Sequence, residues 1–119
     1  LHQAAEDGAT PLIAACQMGQ IECARLLLEA GAAIEQPMND GTTPLSAASL
    51  TGKIDCARLL LEAGAAVNQA TNIGVTPLFM ACQKDHLAIV RLLLEAGAAV
   101  NQATNIGVTP LFMACQKDH

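Results

Sequence analysis

The sequence contains no tryptophan and no tyrosine, and only 2 phenylalanines among its 119 residues. Of these residues 52% are apolar and 2% aromatic, so the interior must be assembled from Leu, Ala, Ile, Val and Cys. That palette suits thin layers of packed helices better than a globule with a bulky centre. No apolar run approaches the roughly 18 residues that a membrane-crossing helix needs. No signal peptide is visible, and a start at Leu1 leaves room for an upstream segment. The 6 lysines and arginines are spread too thinly to form a basic stripe, which argues against a nucleic-acid partner. A formal charge of −5 comes from scattered carboxylates and serves solubility. At this length one domain is expected.

Catalytic and metal chemistry are equally short of material. The five cysteines are odd in number and include no Cys-x-x-Cys, so neither a disulfide framework nor a zinc ribbon is supported. Cys82 and His86 are four apart, as are Cys115 and His119, and on one continuous helix each pair would share a face. A turn is expected between them, no further ligand repeats with them, and structural zinc needs four, so no metal site is expected. His2, His86 and His119 fall at junctions, and no Ser/His/Asp or Cys/His set recurs with assignable roles. Gly-rich phosphate loops are absent. The expectation is a non-enzyme without cofactors. Free thiols fit a reducing compartment, so an intracellular and cytoplasmic location is expected.

What the chain does have is a repeat. The stretch from Arg58 to His86 recurs letter for letter from Arg91 to His119, an offset of 33 residues. At the same offset Thr-Pro-Leu stands at Thr10-Pro11-Leu12, Thr43-Pro44-Leu45, Thr76-Pro77-Leu78 and Thr109-Pro110-Leu111. Leu-Leu-Leu-Glu-Ala-Gly-Ala-Ala ends at Ala33, Ala66 and Ala99. A fixed period of this length signals a stacked array. Each period reads as helix, turn, helix, hairpin. The threonine is a helix N-cap and the proline occupies the first helical position. Gly19 and Gly52 end the first helix, with Asp85 and Asp118 in their place later. The second helix is predicted over 21–30, 54–63 and 87–96, followed by Gly31, Gly64 and Gly97 in left-handed geometry.

Spacing, order and period resemble the ankyrin repeat along the whole chain. The carriers are Gly-x-Thr-Pro-Leu (Gly8 to Leu12, Gly41 to Leu45, Gly74 to Leu78, Gly107 to Leu111), the Leu-Leu-x-x-Gly-Ala core, and Val67-Asn68 and Val100-Asn101. The resemblance implies an all-α solenoid of helix-turn-helix units joined by β-hairpin-like turns. Units are expected over 5–37, 38–70 and 71–103, with 1–4 the tail of a preceding unit and 104–119 a partial one. The pattern departs from the family where His often follows Thr-Pro-Leu: Ile13, Ser46, Phe79 and Phe112 stand there. Phe79 and Phe112 either fill that space or join an apolar surface patch. Where the family often has Asp before the turn glycine, Ala5, Met38, Thr71 and Thr104 stand instead.

The resemblance further implies a protein-binding module that holds its partner by the turn tips and the exposed side of the first helices. Carried onto this chain, the candidate partner-binding residues are Asp40, Thr42, Asn72, Ile73, Val75, Asn105, Ile106 and Val108 at the tips. Gln83 and Lys84 are the candidates on the first helix, with Leu50 at the matching position one unit earlier. Ile73 and Val75 in a tight turn are hard to explain as solvated residues, and clustered exposed apolar side chains mark interaction sites. Asn68 and Asn101 match a hairpin asparagine that is hydroxylated in some family members; structural hydrogen bonding is the simpler role. Cys16, Cys82 and Cys115 share one repeat position with Ser49, and Cys23 and Cys56 share another with Ile89, as buried space-fillers would.

The alternative is structural. No polar capping unit is visible at either end, although arrays usually need one. An excerpt of a longer array, possible engineering of the duplicated 29 residues, or end-to-end self-association into a filament would each produce such a sequence.

Overall fold

Each Thr-Pro pair starts a helix. The computed structural model describes residues 7–98 together with Gln102 and Gly107. Six helices are found among them: α1 (Pro11–Gln17), α2 (Ile21–Glu29), α3 (Pro44–Thr51), α4 (Ile54–Glu62), α5 (Pro77–Gln83) and α6 (Leu87–Glu95). The fourth Thr-Pro-Leu, Phe112, Cys115, Asn101, Asn105, Ile106 and Val108 lie outside the described residues.

The caps form as their chemistry demands. Thr10, Thr43 and Thr76 have extended backbones, and their hydroxyl oxygens accept from the N–H of Ile13 (3.2 Å), Ser46 (3.2 Å) and Phe79 (3.1 Å). Each such cap is worth about 1 kcal/mol. The first helices close with a bond reaching back five residues, from the N–H of Gln20, Lys53 and His86 to the carbonyls of Ala15, Ala48 and Ala81, each 2.9 Å. This closure needs a left-handed residue just before it. Gly19 and Gly52 supply it, and Asp85 supplies it at φ 60°, the single non-glycine with positive φ among the described residues. The second helices end the same way, one residue earlier than the sequence pattern suggests: Ala30, Ala63 and Ala96 are caps, not helix.

Stacking follows from the repeat. α1, α3 and α5 pack side by side as one row, and α2, α4 and α6 as a second row behind it. Because equivalent residues meet equivalent residues, the core is a ladder: Leu12, Leu45 and Leu78 are all buried, as are Ala15, Ala48 and Ala81. Cys16, Ser49 and Cys82 form another rung, and the Ser49 hydroxyl is satisfied by donating to the Leu45 carbonyl (2.8 Å). Small side chains let the rows approach closely, which offsets the missing aromatic bulk. Cys56 is buried as a space-filler but Cys23 is exposed, contrary to expectation, because no helix lies against that face of α2 among the described residues.

The position after Thr-Pro-Leu is interior in all three described units. Ile13 and Phe79 fill it with apolar volume. Ser46 keeps it polar, and the Thr43 hydroxyl donates to its oxygen (3.1 Å). Phe79 is thus a filler of that space and not part of a surface patch. No strand occurs among the described residues, so the hairpin-like turns are hydrogen-bonded tips without a sheet.

Candidate binding surface

The tips stack on one another through the backbone. The N–H of Asn39 donates to the Asp7 carbonyl and that of Asn72 to the Asp40 carbonyl, each 2.9 Å. This seam is tight. A Cβ on Gly41 would meet the Asn72 nitrogen at 2.7 Å and the Thr71 Cα at 2.9 Å, and Gly41 has φ 90°. Gly8 and Gly41 therefore serve two needs at once, a left-handed backbone and a close approach to the next tip.

Within the second and third tips the chain reverses by the same two bonds. Gly41 N–H donates to the Met38 carbonyl and Gly74 N–H to that of Thr71, both 2.9 Å. Met38 N–H donates to the Thr42 carbonyl and Thr71 N–H to that of Val75, both 2.8 Å. The side chains differ. In the second tip the Thr42 N–H donates to Asp40 Oδ1 (2.9 Å), closing an Asx turn. Hydrogen bonds from the Thr42 side chain, and then from its backbone, hold the Asp40 carboxyl below its ordinary range. In the third tip Ile73 has nothing to accept with, and the Thr71 hydroxyl takes the Val75 N–H instead (3.1 Å).

Six of the residues expected to bind a partner converge here. Asp40, Thr42, Asn72, Ile73, Val75 and Gln83 line one open concavity of about 320 Å³ between the second and third tips and the first-helix row. Leu50, Thr71 and Met80 complete it. Ile73 is 65% exposed, which makes it one of the most exposed large apolar residues among those described. Lys84 is exposed at the end of α5 but does not line the concavity. Thr42 corrects the expectation of an exposed tip residue: it is 7% exposed, and its role is to hold Asp40. Asn72 is exposed yet occupied, because its side-chain amide donates to the Asn39 carbonyl (2.9 Å). Met80 went unrecognised in the sequence. Its signal was the three-residue spacing to Gln83, which puts both on one helical face.

Other chemistry-bearing groups are engaged elsewhere. The His86 Nε2–H donates to the Leu50 carbonyl (3.2 Å), and the ring lies against Gly52. This ties the turn between α5 and α6 to the end of α3. Burial, with Cys56 beside it, pushes the Cys16 thiol up to about 12; burial also raises Cys56 and Cys82. Thiols so placed are protonated and poor nucleophiles. Among the described residues no group of three His, Cys, Asp or Glu is placed to hold a metal, and no helix is long and apolar enough to cross a membrane.

A family model described as ankyrin repeats (3 copies) matches residues 1–71 and 68–119. No match among curated proteins reaches significance.

Proposed function

The chain belongs to the ankyrin repeat family, and from that premise we propose that it is a non-catalytic module that captures a protein partner in the concavity between its second and third tips. Members of the family are generally protein-interaction modules. One observation carries the reading for this chain: exposed Ile73 stands over an apolar wall of Leu50, Val75 and Met80, on a backbone pinned by hydrogen bonds on both sides. A rigid apolar hollow loses little entropy when it is filled, so anchors inserted there dominate affinity. The buried thiols support a reducing, intracellular setting.

The test starts with a random-peptide display library selected on the intact chain. The selected peptides are then titrated against the Ile73→Ser, Val75→Ser double variant, with helical circular dichroism as the control for folding. Affinity should fall about ten-fold or more while the dichroism is unchanged. Equal affinity for both proteins would remove this surface as the site.

A second reading, a self-stacking or longer array, has its own observation. Leu26 is 64% exposed on α2, whereas its equivalent Leu59 is packed against the core. A second helix from another copy would cover Leu26 as α2 covers Leu59. Light scattering over a concentration series decides it: a mass that climbs with concentration supports stacking, and a constant monomer mass rejects it.

A further inference from the structure

The chemistry of the captured segment follows from the lining of the concavity, and this step rests on the reading of that concavity as the binding site. Its volume of about 320 Å³ lies at the small end of ligand pockets. It has room for a side chain or two and not for a packed helix. Four of its residues, Leu50, Ile73, Val75 and Met80, are apolar. Gln83 is exposed, polar and uncharged, so a peptide backbone crossing the rim finds a donor and an acceptor there. Asp40 is the single charged side chain in the lining among the described residues, and it is exposed. One of its oxygens takes the Thr42 N–H, which fixes the carboxylate in place while leaving lone pairs directed to solvent. Among the described residues no lysine or arginine lines the concavity to neutralise it. The chain as a whole carries −5, which favours the approach of a cationic segment and disfavours an acidic one.

We propose that the partner of this surface is an extended peptide segment bearing an aliphatic or aromatic side chain next to a lysine or arginine. The apolar group enters between Ile73 and Met80, and the cation pairs with Asp40 at the rim. Ile73 supplies the larger share of affinity, and Asp40 supplies the preference for positive charge.

The experiment reads the composition of the display-selected peptides and their affinities for two single variants. Ile73→Asp places at the third tip the residue already present at the second, so the fold has a precedent for it. Asp40→Asn keeps an oxygen to accept the Thr42 N–H, removes the charge and turns the second oxygen into an amide donor. The expected result is enrichment of an apolar residue beside Lys or Arg. Ile73→Asp should weaken those peptides about ten-fold or more. Asp40→Asn should weaken them about two- to five-fold, as befits an exposed ion pair, and the difference should shrink in high salt. Apolar peptides with no basic neighbour, sensitive to Ile73→Asp and indifferent to Asp40→Asn, would overturn the inference and leave the binding site standing. Enriched acidic peptides would likewise overturn it. Peptides indifferent to both variants, or no enrichment at all, would overturn the site and the inference together.

Discussion

The second and third tips follow the same backbone path and bear opposite surfaces. Both reverse direction through the same pair of main-chain bonds, at 2.9 and 2.8 Å. The second needs Asp40 to hold the Thr42 N–H, because Met38 before it has no oxygen in its side chain. The third has Thr71 at the place of Met38, and that hydroxyl holds the Val75 N–H. Moving one hydrogen bond back by two residues releases position 73 from its structural duty. An exposed isoleucine can then stand there without weakening the turn. In this array, therefore, a surface residue is free to vary where a neighbour has taken over its bond.

The comparison can be broken hardest at the seam where the two tips meet. Gly41→Ala drives a Cβ into the Asn72 and Thr71 backbones at a positive φ, and should cost about 3 kcal/mol in urea unfolding. Gly64→Ala, at φ 96° with nothing within 4 Å, bears only the backbone strain and should cost about 1 kcal/mol. Equal losses from the two would show that the seam is not tight.

The relocated bond gives a sharper test. Thr71→Ala should cost about 1 kcal/mol, as for the loss of one hydrogen bond. In the Ile73→Asp background the same change should cost less than half of that, because the new carboxylate can accept the Val75 N–H as Asp40 accepts that of Thr42. Additive losses in this double-mutant cycle would mean that the two side chains do not substitute for each other. Ile73→Asp alone should leave stability unchanged or raise it by about 0.5 kcal/mol.

The smallest effect separates the tips by acid. The folded Asp40 carboxyl lies below its ordinary value of 3.8 because of its bonds to Thr42. Folding therefore favours the ionised form. The stability it contributes is complete above 3.8 and is lost as pH falls through the lower folded value. Asp40→Asn should accordingly flatten the drop in unfolding midpoint between about pH 6 and about pH 3 by a small amount. An unchanged drop would mean that the bond to Thr42 does not stabilise the second tip.

Local features were legible in the sequence because their causes are local. A threonine before a proline can hardly do other than cap, and Gly19 and Gly52 end α1 and α3 for steric reasons. The period alone implied the two rows of helices. What the sequence withheld depends on one unit touching the next. The burial of Thr42 and the bond from Asn72 to Asn39 arise only when the tips stack. Cys56 and Cys23 share a repeat position, and only the packing around each distinguishes a buried thiol from an exposed one. Candidate tip residues could be named singly. That Asp40, Ile73 and Gln83, from two tips and a helix, line one hollow with the unforeseen Met80 is a property of the stack.

The most direct measurement is methyl-detected nuclear magnetic resonance of the intact chain titrated with a display-selected peptide. Shift changes concentrated on the methyl groups of Leu50, Ile73, Val75 and Met80 are the predicted result. Changes centred instead on the second-helix row, at Leu26, Leu59 and Leu92, would contradict the assignment of binding to the tips.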